Sequence, residues 1–147
     1  MNEAKLKTKL HLRMVLIAMA LAFPFWVLLF FFKQKYDCCK VIGLFQVIVL
    51  VIIAPITEEI IFRGAIQTFL SQRNFELNLG WLSLSNLITS CLFSASHFLL
   101  NHSIEILLVF FPSLIFGYLR EKSNSLMGSI VVHGFYNLGF VSIYLFD

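Results

Sequence analysis

Apolar residues come in long blocks separated by short polar connectors, and the first block, Met14 to Phe32, carries no charge over 19 positions. At 1.5 Å of rise per residue it is long enough to cross a hydrocarbon core of about 30 Å. A basic head with Lys5, Lys7, Lys9 and Arg13 precedes it. The run exceeds the roughly 7–15 apolar residues of a signal peptide and shows no convincing cleavage site, so it reads as a retained membrane anchor. Pro24 within it predicts a kink that neighbouring helices can accommodate.

After a polar connector from Lys33 to Lys40, a second block extends from Val41 to Leu70, interrupted by Pro55, Glu58, Glu59 and Arg63. If wholly helical it is about 45 Å long, so tilt, a bend near Pro55 or projection beyond the bilayer must absorb the excess. Ser71 to Gly80 reads as a turn. Trp81 to Leu100 is a third span, with Trp81 suited to an interface and His97 near the far end. The fourth, Ile106 to Leu119, supplies about 21 Å of helix around Pro112, with a start as early as Asn101. A polar break from Arg120 to Ser125 leads into the fifth, Leu126 to Phe146, which carries His133 and Asn137. The expectation is an all-α protein: a multi-pass bundle of about five transmembrane helices. Residues 1–40 hold the basic tail, first span and connector, and residues 41–147 the functional core.

Composition strengthens this reading. Of 147 residues 59% are hydrophobic and 13% charged, with seventeen Phe and a mean hydropathy of +0.87. A soluble domain has roughly twice that share of charge, and a chain this short has too little interior to hide the apolar surface. The net charge of +3 comes from Lys and Arg at the ends of apolar runs, which suits lipid headgroups and argues against a nucleic-acid partner. Counting basic residues favours a cytoplasmic N-terminus. Cys38, Cys39 and Cys91 form neither a disulfide framework nor a zinc-binding spacing. His11 and His102 are expected at the interface.

Two adjacent carboxylates in an apolar span are costly, roughly 2.5 to 3.5 kcal/mol each at mid-bilayer on insertion scales. Arg63 lies four residues after Glu59, one helical turn on, and is placed to neutralise it. Glu58 points about 100° away, its i+4 neighbour is Phe62, and it needs a partner from another helix. Span three offers one. Ser90, Ser94, His97 and Asn101 form a polar stripe, and His97 can meet Glu58 across the hairpin. Measured from the turn, Glu58 sits at about 20 Å and His97 at about 26 Å, a match within about one helical turn. Ser129, His133 and Asn137 share a face of span five, with Asn137 about 18 Å beyond Ser125. The serines are expected to pack helices; the acidic and imidazole groups are expected to line one intramembrane cavity.

The segments APITEEIIFRG (Ala54 to Gly64), FSASH (Phe93 to His97) and HGFYN (His133 to Asn137) resemble the EExxxR, FxxxH and HxxxN motifs of the CPBP family of intramembrane proteases, also called the Abi or CAAX-protease-and-bacteriocin-processing family. The resemblance covers roughly residues 45 to 142. It implies a peptidase in which Glu58 and His97 activate a water, His133 and Asn137 stabilise the oxyanion, and Glu59 and Arg63 hold the helix in place. Its prenyl-processing members open toward the cytoplasm, whereas the charge count here sets the site nearer the outer face. Zinc on Glu58, His97 and His133 is the rival chemistry; the absence of HExxH and the Asn beside the second His favour a mechanism without metal. The expected partners are a peptide or protein substrate, first of all a leader-bearing peptide, and membrane lipid. The alternatives are a non-enzymatic bacteriocin-immunity or regulatory protein on the same fold and a proton-coupled transporter, the latter disfavoured because no inverted repeat is detectable.

Overall fold

The computed structural model describes residues 3–33, 43–73, 78–79, 82–101 and 104–145. Among these the fold is all-α apart from one hairpin, in which Asn78–Leu79 pairs antiparallel with Leu82–Ser83. Two helices, Glu3–Ala20 and Ala22–Lys33, lead into one continuous helix, Leu44–Gln72. Beyond the hairpin come Leu84–Asn101, a tighter 3-10 stretch Ile104–Val109, then Phe110–Ser123 and Met127–Leu145. The segments Lys5–Phe31 and Leu44–Gln72 are each long and apolar enough to cross a membrane, and Leu84–Leu100 and Met127–Ile143 are shorter apolar helices.

Several boundaries differ from those read in the sequence. The basic head is part of the first helix, which begins at Glu3. The break in that span falls at Leu21: Pro24 has no N–H with which to close the turn on Ala20. The 71–80 turn is shorter than expected, since Ser71 and Gln72 end a helix and Asn78 and Leu79 form a strand. The fourth segment is longer, helical from Ile104 to Ser123, so Arg120, Glu121 and Lys122 belong to a helix. Asn124, at φ 52°, terminates it in the left-handed conformation that asparagine tolerates. Pro112 occupies the first turn of this helix, where a missing N–H is harmless. Trp81, Cys38, Cys39 and His102 lie outside the described residues.

The long helix is not uniformly α. Val49–Ile53 and Ile60–Gln67 have the wider π geometry, on either side of Ala54–Glu59. In the first of these the Ala54 N–H donates to the Val49 carbonyl, five residues back. At the far end of the second, the Thr68 hydroxyl donates to the Arg63 carbonyl at 3.0 Å.

The chain divides into two compact units, Met1–Ile56 with Ile130–Asp147, and Thr57–Ser129. In the first, aromatic side chains meet small residues. The Trp26 indole N–H donates to the Tyr136 carbonyl at 3.1 Å, the Tyr136 hydroxyl to the Ala18 carbonyl at 3.3 Å, and the Trp26 and Phe135 rings lie 5.0 Å apart. Gly139 admits the Trp26 indole where any Cβ would collide with it. In the second unit, Asn86 donates to the Leu114 carbonyl at 3.0 Å and accepts from Ser90 at 3.2 Å. Ser94 donates to the Leu107 carbonyl at 3.2 Å. Ser94 thus ties its helix to the next segment, as the sequence suggested, whereas Ser90 bonds within its own helix and Ser129 to the Leu126 carbonyl three residues back.

The two helices at this second junction approach closely because Gly117 has no side chain; a Cβ there would overlap the Asn86 amide. Gly117→Ala is therefore expected to displace Asn86 from Leu114 and cost about 1–3 kcal/mol. Gly64→Ala, whose Cβ would make ordinary contacts with the Leu126 side chain at 3.4 Å and the Glu59 carbonyl at 3.8 Å, should be tolerated. Thermal unfolding of both variants in detergent checks the contrast.

Candidate active site

Glu58 and Glu59 are adjacent on the long helix and have opposite surroundings. Glu59 and Arg63 are both fully buried, and their side chains meet at 3.1 Å, one turn apart. Arg63 also donates to the Ser113 carbonyl at 2.9 Å and the Ser113 hydroxyl at 2.7 Å, so the guanidinium bridges two helices. The Phe93 and Phe116 rings lie 4.8 and 5.5 Å from its centre. A planar cation held between a carboxylate, a carbonyl, a hydroxyl and two rings keeps its interactions without water.

The polar stripe continues one turn further. Gln67, 2% exposed, donates to the Gly117 carbonyl at 3.2 Å and to Glu121 at 2.8 Å, and Ser83 also donates to Glu121. Sequence reasoning stopped at Arg63 and missed Ser113, Gln67 and Glu121. A signal for Gln67 was present in the repeat of Glu59, Arg63 and Gln67 at steps of four.

Glu58 is turned differently. Its carboxylate is 28% exposed and its Oε2 lies 3.8 Å from Nε2 of His97, itself 23% exposed, on the Leu84–Asn101 helix. The opposite ring nitrogen, Nδ1, is 3.0 Å from the Phe93 carbonyl. A carbonyl oxygen can only accept, so Nδ1 carries the proton, and in a neutral imidazole Nε2 presents its lone pair. The Phe93 ring supports the imidazole from beside it, centroids 4.4 Å apart, and packs edge-on against Phe62 at 5.0 Å. With the imidazole neutral, a carboxylate oxygen and an imine nitrogen face one another at 3.8 Å, beyond direct hydrogen-bond reach but short enough for one water to donate to both. Phe93 serves both pairs, and only the FxxxH spacing hinted at it.

The matching of depths along the helices thus brings Glu58 and His97 together, as the sequence arithmetic anticipated. His133 and Asn137 are one turn apart on Met127–Leu145, in the other unit. The Asn137 amide donates to the Leu50 carbonyl at 2.9 Å. An amide has two N–H bonds, so this contact leaves Asn137 one more donor.

Zinc generally requires three protein ligands. The Thr57–Ser129 unit offers Glu58 and His97, and among the described residues no group of three or more His, Cys, Asp or Glu side chains gathers into a metal-binding set.

Compared with known families, residues 40–139 match the Rce1-like family, described as type II CAAX prenyl endopeptidase Rce1-like. The chain belongs to this family. The match contains every motif residue from Glu58 to Asn137, and membership makes this a membrane-embedded peptidase. No curated protein and no solved structure matches the chain. Within the Rce1-like core, then, one of the adjacent carboxylates is held by an internal ion pair and the other faces a histidine.

The two should respond differently to substitution. Arg63→Ala leaves the Glu59 carboxylate buried without its cation and is expected to cost about 3–5 kcal/mol. Glu58→Gln preserves shape at a partly exposed position and should change stability by no more than about 0.5 kcal/mol. Unfolding midpoints in detergent separate the cases, and equal losses would contradict these assignments.

Proposed function

We propose that this protein is an intramembrane endopeptidase of five membrane spans in which Glu58 and His97 activate the attacking water. The observation that carries the reading is the 3.8 Å separation of the Glu58 carboxylate from Nε2 of His97, with Nδ1 of that ring turned to the Phe93 carbonyl. A water donating one hydrogen to each is oriented with its lone pairs toward a substrate carbonyl. Glu58 takes the proton as the O–C bond forms, and the same proton passes to the amine nitrogen as the C–N bond breaks. His133 and the remaining N–H of Asn137 are assigned to the oxyanion, where removal of one donor typically costs about 3–4 kcal/mol. Glu59 and Arg63 keep the carboxylate-bearing helix in place. No metal enters this scheme.

The family description makes a prenylated peptide with a CAAX-type C-terminus the first substrate to test. Small leader-bearing peptides are the second.

Cleavage of both peptide classes by protein in liposomes provides the test. Turnover should fall about 10²–10⁴-fold in Glu58→Gln and His97→Ala while the unfolding midpoints hold. It should also survive chelator treatment. Equal turnover by wild type and variants would remove this chemistry; no turnover at all would favour a non-enzymatic immunity or regulatory role. Activity lost to a chelator and restored by zinc would replace the water-activation scheme with a metal-dependent one.

A further inference from the structure

Pro55 lies three residues before Glu58, and its missing N–H must leave some carbonyl of the preceding turn without a donor. In an ordinary α-helix that carbonyl would be Val51. Here the Val49–Ile53 segment is wider, and Ala54 donates to Val49. Leu50 consequently loses its i+4 donor to Val49, while its i+5 residue is Pro55. The last helix supplies the replacement, since the Asn137 amide donates to Leu50 at 2.9 Å. One turn earlier, Gly134 lies so close to the neighbouring carbonyl that a Cβ would stand 2.7 Å from the Val51 oxygen. Gly134 and Asn137, at i and i+3, present one face to two successive carbonyls affected by the proline.

The geometry points to Asn137 as a positioning residue that supplies the donor Pro55 cannot, fixing the widened turn immediately before the carboxylate-bearing segment. In lipid no water can take over this task, and an unmet carbonyl is costly. The motif Asn and the motif Pro are therefore coupled: an amide is required at 137 because no N–H exists at 55. This deepens the proposed peptidase reading, because the oxyanion role uses the other N–H of the same amide, but the coupling does not depend on activity.

A double-substitution cycle tests it. Asn137→Ala should lower the unfolding midpoint of the full chain in detergent by roughly 3–8 °C. In a Pro55→Ala background the same change should cost much less, because position 55 now has an N–H and Leu50 gains a backbone donor in either helical register. An equal loss in both backgrounds would overturn the inference. If Pro55→Ala fails to fold, an isotope label at the Leu50 carbonyl decides: its infrared band should move to higher frequency in Asn137→Ala, and an unmoved band would overturn the inference equally. Where cleavage is measurable, the turnover lost in Asn137→Ala should recover partly in the double variant, a rescue that loss of an oxyanion donor alone would not give. Coupled midpoints without cleavage in any variant would uphold the positioning role while removing the peptidase reading.

Discussion

A guanidinium and a carboxylate buried in an apolar protein are tolerable only if every strong donor and acceptor is satisfied from within. Arg63 meets this need in part by reaching three groups at once, Glu59 on its own helix and both oxygens of Ser113 on the Phe110–Ser123 helix, while its Nε makes no hydrogen bond. Phe93, from the Leu84–Asn101 helix, closes one side of the guanidinium. Three helices of the Thr57–Ser129 unit therefore converge on one cation. A lysine ammonium would offer neither the fork geometry nor the flat face that these contacts use. The ion pair is thus the point at which helix packing in this unit is decided.

Holding Glu59 inside makes it possible for its neighbour to do something else. Consecutive residues on a helix point about 100° apart, so fixing one carboxylate inward fixes the other toward a different neighbour. Glu58 consequently faces His97, and both are partly exposed while Glu59 and Arg63 are not. The shared component is Phe93, whose ring contacts Arg63 and His97 and whose carbonyl sets the imidazole tautomer. The tandem Glu-Glu of the motif is thus one carboxylate held in a buried ion pair and one that faces a histidine, distinguished by helical phase.

Much of this was legible in the chain. Uncharged runs gave the helices, the i+4 spacing gave Glu59 and Arg63, and depth counted from the turn gave Glu58 and His97. These features depend on local periodicity and length. What escaped depends on tertiary contact: Ser113, Asn86 and Gly117 look like ordinary helix residues until the facing helix is known. The π geometry escaped for a related reason. Proline at 55 announced a disturbance, but whether a helix bends, breaks or widens is settled by which outside donor reaches the affected carbonyls. Asn137, 87 positions away in sequence from Leu50, carries no local sign of that duty. The oxyanion roles of His133 and Asn137 came from motif resemblance, and the Asn137 contact to Leu50 is a separate duty that the motif did not announce.

Among the described residues the buried side chains are more often polar than apolar, while Leu100 and Leu44 are 79% and 77% exposed. That inverts the arrangement of a soluble core and suits a solvent that is itself apolar. In such a solvent each departure from the α-helix must be met by a particular side chain, because water is unavailable. Thr68 meets the Arg63 carbonyl, Ser94 the Leu107 carbonyl in the 3-10 stretch, and Asn137 the Leu50 carbonyl. Two of these three repairs belong to the helix that carries Glu58 and Glu59, and both concern its widened turns. Wide turns tend to occur where function requires them, since a regular helix would be cheaper. The side chains committed to those turns give a physical reason, independent of any motif, for the widened geometry on either side of Ala54–Glu59 in a helix that is also long and apolar enough to span lipid.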